Sequence, residues 1–309
     1  MKEIIAEIKK LQEEQDAVIM AHYYVDKELQ EIADYVGDSF FLSKKATEIE
    51  AKTIVVCGVS FMGESVKLLN PDKKVLSPEP TADCPMAHMT TVEEVVHMRQ
   101  QYEDLAVVCY VNSSAALKSV SDVCVTSANA YEVVSELPNK YIYFIPDQHL
   151  GQFIAQKLPE KHFIYNDGYC PVHRKITVER LQEMKRKHPQ AKILVHPECV
   201  KEVCELADYA GSTAGIINYA TNSLEKEFII GTENGVTYEL RRKNPDKMFY
   251  LLDEVTCLDM KKITLEKVRD CLINSSGEVL VDEAVAVKAV EPLNKMLMLA
   301  APAKGKGAK

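Results

Sequence analysis

The sequence predicts an α/β protein of three similar small domains, each with a parallel sheet, related by pseudo-threefold symmetry around a central active site. Three observations lead there. Short apolar runs alternate with helix-length amphipathic stretches along all 309 residues, the pattern of parallel βα units. The runs come in sets of four that recur about every 86 residues, a period too long for a solenoid repeat. Each set ends in a cysteine, and Cys84, Cys170 and Cys257 are separated by 86 and 87 residues.

The first run of each set, at 17–24, 106–114 and 192–200, is apolar and closes on hydrogen-bonding residues. The second leads to a small hydroxyl residue beside helix-forming sequence: Ser39 in GDSFFLSKKA, Ser127 in VTSANAYEVV, and Ser212 with Thr213 in AGSTAGIINY. The third runs are TIVVCGVSFMGES, YIYFIPDQHLGQF and EFIIGTENGVTYE. The fourth, KVLSPEPTADCP, HFIYNDGYCP and FYLLDEVTC, carry the three cysteines. Ser39 precedes Cys84 by 45 residues, Ser127 precedes Cys170 by 43 and Ser212 precedes Cys257 by 45, an agreement that chance does not readily produce. The predicted domains are residues 1–98, 99–185 and 186–309, the last including a C-terminal helix and tail.

Composition narrows the class. With 47% hydrophobic and 27% charged residues, the chain has enough apolar surface for a sizeable core. The N-terminal MKEIIAEIKKLQEEQ is charged and helix-periodic, without an apolar leader core or a basic transit pattern. No apolar run approaches the roughly 20 residues a membrane helix needs, so the expected location is the cytoplasm. Nine cysteines in a reducing compartment are expected to be ligands or buried thiols rather than disulfides. A net charge of -9 without a basic stripe argues against nucleic acid as partner. The tail AKGKGAK is the exception, and its composition reads as a disordered, solvated end.

Functional groups of parallel sheets lie beyond the carboxyl ends of the strands. Three domains that point those ends at a common axis bring Cys84, Cys170 and Cys257 together. Three thiolates leave a tetrahedral zinc site one ligand short, whereas a 4Fe-4S cluster on three cysteines keeps one iron with an open position. That iron is a Lewis acid able to polarise substrate oxygens and ease loss of water. A zinc site completed by a histidine, and unrelated buried thiols, are the alternatives. Cys57, Cys109 and Cys124 fall inside apolar runs and read as core. Cys199 and Cys204, five apart on a helical stretch, do not share a face well, and Cys271 has no counterpart in the other sets. The CxxxCxxC pattern of radical enzymes is absent.

Polar residues recur at the strand ends: His22, Tyr23 and Tyr24 in the first set, Tyr110 and Asn112 in the second, His196 and Glu198 in the third. His173, three residues past Cys170, is within reach of substrate or of the metal ligands. Ser39, Ser127 and the Ser212–Thr213 pair sit where helices are expected to begin. There they serve as N-caps, as anion-binding groups at positive helix ends, or as both.

Several segments resemble quinolinate synthase: AHYYVDKELQEIADYVGDS, CGVSFMGESVKLLNPDKKVLSPEPTADCPMA, CYVNSSAALKS, HPEC, AGSTAGI and GTENGVTYELRRKNPDK. The likeness runs across essentially the whole chain. It implies condensation of iminoaspartate with dihydroxyacetone phosphate to quinolinate, with loss of phosphate and two waters, in NAD biosynthesis. It implies three-domain pseudosymmetry and one 4Fe-4S cluster on Cys84, Cys170 and Cys257. It also implies substrate contacts from His22, Ser39, Tyr110, Asn112, Ser127, His196, Glu198 and Thr213, with Tyr24 as the acid-base residue. We expect Tyr24, His196 and Glu198 to share the proton transfers, and His173 and Ser212 to join the substrate contacts. By the same resemblance the supplier of iminoaspartate is L-aspartate oxidase or aspartate dehydrogenase. Some members carry a CxxCxxC near the C-terminus; this chain does not, so redox control assigned to it does not carry over. An iron-sulfur hydro-lyase needing no phosphorylated co-substrate is a second reading. A non-catalytic iron-sulfur sensor is a third, but no DNA-reading helix or basic patch supports it.

Overall fold

A computed structural model describes residues 1–300; the AKGKGAK tail lies outside the described residues. Among the described residues, twelve strands form three four-stranded sheets. The first holds β1 (Ala17–His22), β2 (Tyr35–Gly37), β3 (Thr53–Cys57) and β4 (Lys74–Leu76). The second holds β5 (Leu105–Tyr110), β6 (Val123–Val125), β7 (Tyr141–Ile145) and β8 (His162–Tyr165). The third holds β9 (Lys192–Val195), β10 (Tyr209–Ala210), β11 (Glu227–Gly231) and β12 (Met248–Leu251). Every pairing is parallel and the order is the same each time: β2-β1-β3-β4, β6-β5-β7-β8 and β10-β9-β11-β12. The first strand of each set is therefore interior, flanked by the second and third.

The central strands read as unbroken apolar runs because both faces are covered. β3 and β5 are buried at every position, as expected for parallel strands sandwiched between helices. A shared turn fixes the second strand beside the first. Asp34, Asp122 and Asp208 each stand one residue before β2, β6 or β10. One carboxylate oxygen of each accepts the backbone N–H of Ile19 (2.8 Å), Val107 (2.7 Å) or Ile193 (2.8 Å), while the aspartate's own N–H donates to the same residue's carbonyl. Each of these aspartates satisfies backbone groups that no strand partner reaches there.

The core is not divided evenly. The first two sheets share one continuous cluster, which also takes in Val268, Leu272, Leu293 and Met296 from late in the chain. The third sheet keeps two smaller clusters of its own. Helix 265–274 packs on helix 2–14, and helix 283–299 crosses helix 60–69, the short helix 115–118 and β6. Chain order puts these two helices in the segment 186–309, yet their packing is with the earlier units. Leu293 and Met296 are fully buried in that contact, worth roughly 1.5–3 kcal/mol each. No helix among the described residues is long and apolar enough to cross a membrane.

Candidate active site

The carboxyl ends of β1, β5 and β9 meet at one cavity of about 90 Å³, a size for small molecules rather than for a polymer. Strand geometry explains which residues face it. Side chains alternate along an extended chain, so positions two apart share a side. His22 and Tyr24, Tyr110 and Asn112, and His196 and Glu198 all line the cavity. Tyr23 and Val111 between them turn away, Tyr23 into the third unit's apolar cluster.

The two histidines are held alike. The backbone N–H of Tyr24 donates to His22 Nδ1 (3.2 Å) and that of Glu198 to His196 Nδ1 (3.3 Å). Each neutral ring therefore carries its proton on Nε2. Burial lowers both, His22 to about 4 and His196 to about 3, so both are neutral donors near pH 7. His196 Nε2 lies 3.2 Å from Ser127 Oγ.

The second strands supply one hydroxyl each. Strand register aligns Gly37, Val125 and Gly211 beside His22, Tyr110 and His196. Two residues on come Ser39, Ser127 and Thr213, all lining the cavity. Ser212 corresponds instead to Asp38 and Thr126. Its oxygen accepts the N–H of Gly215 (3.1 Å) as the cap of helix 213–222, as Asp38 accepts that of Phe41 (2.9 Å). Ser212, expected among the substrate contacts, is not among the residues lining the cavity; its oxygen accepts from the helix, which leaves its O–H as a donor. Nor do the other serines cap helices. Ser39 is the first residue of helix 39–46 behind Asp38, and Ser127 lies two residues ahead of Asn129, which holds the cap position.

A continuous hydrogen-bonded chain crosses the cavity wall. Glu198 accepts from Tyr110 Oη (2.5 Å) and from His173 Nδ1 (2.7 Å). His173 Nε2 lies 2.9 Å from Thr232 Oγ1, which is 3.0 Å from Tyr24 Oη. Tyr24 Oη is in turn 2.8 Å from Thr213 Oγ1. Burial pulls the Glu198 carboxyl upward, but the His196 and His173 rings and the hydrogen bonds from His173 and Tyr110 outweigh it and hold it well below the usual carboxylate range. Burial, reinforced by the Glu198 charge, pushes the Tyr24 phenol well above its usual value. The chain thus runs from an ionised carboxylate to a firmly protonated phenol.

Cys84, Cys170 and Cys257 line the same cavity, Cys84 and Cys257 at the cap positions of helical turns and Cys170 shortly before one. Burial raises all three thiols, opposed by N–H groups of their own turns: Met86 and Ala87 for Cys84, His173 for Cys170, Met260 and Asp259 for Cys257. Carboxylates hold the amides of Cys84 and Cys257: Asp83 accepts from Cys84 N (2.8 Å) and Glu233 from Cys257 N (3.1 Å). Buried thiols gathered at one cavity fit a cationic metal centre that would convert them to thiolates. A tetrahedral ion with bonds of about 2.3 Å needs its sulfurs about 4 Å apart. The group of donors lying mutually within 4.8 Å is Cys170, His173 and Glu198, not the three cysteines. The three cysteine sulfurs therefore do not all lie within 4.8 Å of one another.

The remaining cysteines are free. Cys57, Cys109 and Cys124 are buried in strands, Cys199 lies before helix 201–206 rather than on it, and Cys271 is a buried residue of helix 265–274. Sequence reasoning missed Asp38, Thr126, Thr232, Glu233 and Asp147. Glu233 follows β11 at the position Asp147 holds after β7, and Val59 stands at that place after β3. The signal existed in GTENG and PDQ, but the apolar Val59 hid the correspondence. Asn112 Oδ1 is buried without a protein partner, available to accept from a bound molecule.

A family described as NadA, quinolinate synthetase A protein, matches residues 6–298. The chain is 50% identical over 293 residues to a protein named quinolinate synthase from Fusobacterium nucleatum, covering 95% of this chain and 98% of the relative. It is 51% identical to a protein of that name from Caldicellulosiruptor bescii (94% and 96% covered), and 44% identical to one from Aquifex aeolicus (97% and 95%).

Proposed function

Because the chain belongs to the quinolinate synthetase A protein family, we propose that its cavity condenses iminoaspartate with dihydroxyacetone phosphate, releasing phosphate and two waters, with a 4Fe-4S cluster on Cys84, Cys170 and Cys257. The protein is an enzyme of quinolinate formation, and quinolinate feeds NAD biosynthesis. One observation carries the cluster reading: cysteines from three separate units line the same cavity as the Glu198 to Tyr24 chain. When bound, the cluster would supply a Lewis-acidic iron facing substrate.

The chain's own groups account for the rest. His22 and His196 present Nε2–H donors, and Ser39, Ser127 and Thr213 present hydroxyls, to the carboxylates and phosphate of the substrates. Asn112 accepts from a substrate N–H or O–H. Glu198 is the base, oriented by Tyr110 and His173, and takes a proton from carbon or nitrogen during condensation and ring closure. Tyr24 is the acid and gives its phenolic proton to a departing oxygen. Thr232 and His173 link the phenolate so formed to Glu198, whose gained proton balances the one Tyr24 gives up. Burial excludes water, which would otherwise hydrolyse an imine. L-aspartate oxidase or aspartate dehydrogenase would supply the iminoaspartate.

The test is an anaerobic assay of the iron-reconstituted protein, with quinolinate read by chromatography. Quinolinate should form only when both iminoaspartate and dihydroxyacetone phosphate are present, in protein carrying about four irons and four sulfides per chain. Protein with one zinc and no sulfide, or no product from the two substrates together, overturns the reading.

A further inference from the structure

Tyr24 lies at the end of β1, yet its side-chain partners and part of its backbone packing come from the third unit. Its phenol meets Thr213 and Thr232. A Cβ on Gly235 would fall 2.8 Å from Tyr24 Cα and 2.8 Å from Tyr24 O, so only glycine lets that turn approach so closely. Gln30 Nε2, buried, donates to the carbonyls of Tyr23 (2.9 Å), Val25 (3.0 Å) and Gly235 (3.2 Å). Among the described residues, Lys261 brings a cation to this contact. It sits on the turn 258–261 directly after Cys257, and its Nζ donates to Tyr24 O at 2.9 Å. The same Nζ is 2.9 Å from Asp26 Oδ1 and 3.9 Å from Glu233 Oε1. Glu233 is fully buried, lines the cavity, and accepts the N–H groups of Cys257 (3.1 Å) and Gly235 (2.6 Å).

We propose that Lys261 is a positioning residue, which ties the Tyr24 carbonyl to Glu233 and the Cys257 turn so that the phenol and the third cysteine keep one register. This rests on the reading of Tyr24 as the acid. Three segments far apart in the chain converge on a single ammonium: the stretch after β1, the turn after β11 and the turn after Cys257. A side chain with the same stem but no charge keeps the packing and loses every one of these bonds. Tyr24 is then free to move relative to the metal ligands. A displacement near 1 Å at a reacting group costs up to about a hundredfold in rate.

The test compares the cluster-loaded parent with Lys261→Met and Lys261→Arg. The Met variant should keep its iron and sulfide content while kcat falls at least about tenfold and both KM values stay within about threefold, the pattern of a misplaced acid rather than lost binding. Arginine restores donation to the carbonyl and both carboxylates, so its kcat should return to within about threefold of the parent. The Tyr24 position itself is read by the 19F resonance of fluorotyrosine-labelled protein, assigned by its loss in Tyr24→Phe. That resonance should shift in Lys261→Met and return in Lys261→Arg. A Met variant with kcat within about twofold of parent, parallel loss of iron and activity, or an unmoved Tyr24 resonance overturns the proposal. If the parent makes no quinolinate, the reaction assigned above fails, while the resonance still decides whether Lys261 positions Tyr24.

Discussion

The first and third units end their leading strands with the same device and opposite chemistry. In both, a histidine takes an N–H from the residue two positions on, which fixes its tautomer and turns a neutral Nε2 donor to the cavity. In the first unit the residue giving that N–H is Tyr24, whose phenol burial keeps protonated; in the third it is Glu198, whose carboxyl is held ionised. Backbone geometry thus supplies position, and one side chain per unit supplies the charge state, a protonated phenol in one and an ionised carboxylate in the other. The second unit, with Tyr110 and Asn112 at those places, contributes a hydrogen bond to Glu198 and an acceptor for a ligand.

The contrast is broken most severely by removing its charged end. Glu198→Gln keeps shape but leaves Tyr110 and His173 without an anion, and kcat should fall about a thousandfold; Tyr24→Phe should cost about a hundredfold. Both should retain the parent's iron content and absorption spectrum. Equal activity in parent and Tyr24→Phe would remove the phenol from the chemistry.

Acid should act on the shared half of the device. His22 is neutral when folded down to about 4, whereas an unfolded chain protonates it near 6.5. The folded value is the lower one, so stability is full above about pH 6.5 and is lost as pH falls toward 4, by up to ~3 kcal/mol for this group. Denaturant titrations across that window should show the loss, smaller in His22→Asn. The ring Cε1–H shift of His22 should stay flat from pH 7 to 5, and a midpoint near 6.5 would show that the ring is not desolvated.

The smallest effects separate the helix cap from the cavity hydroxyl of the third unit. Ser212→Ala should lower stability by ~1 kcal/mol and leave kcat within about twofold. Thr213→Val should do the reverse, lowering kcat about tenfold, because it removes one hydrogen bond to Tyr24 and to substrate. If the two exchange outcomes, the alignment of Thr213 with Ser39 and Ser127 is wrong.

The strands were legible because doubly covered parallel strands leave uninterrupted apolar runs, and the cysteines because their spacing repeats. The strand-end pairs were legible because both members point the same way. The cap and cavity roles of Ser212 and Thr213 were not, since adjacent hydroxyls are chemically alike and only strand register tells them apart. Thr232 stayed hidden because its counterparts after β3 and β7 are Gly58 and Pro146, which carry no hydroxyl. Long-range partners such as Lys261 and Tyr24, far apart in sequence, leave no local pattern at all.

Helix 283–299 follows the third sheet in sequence yet covers the first two units. During synthesis, then, the apolar flanks of helix 60–69 and β6 emerge from the ribosome long before their cover exists. Closure of that shared core is deferred until residues 283–299 have been made. A stop codon ahead of residue 283 would uncover apolar surface on the first two units.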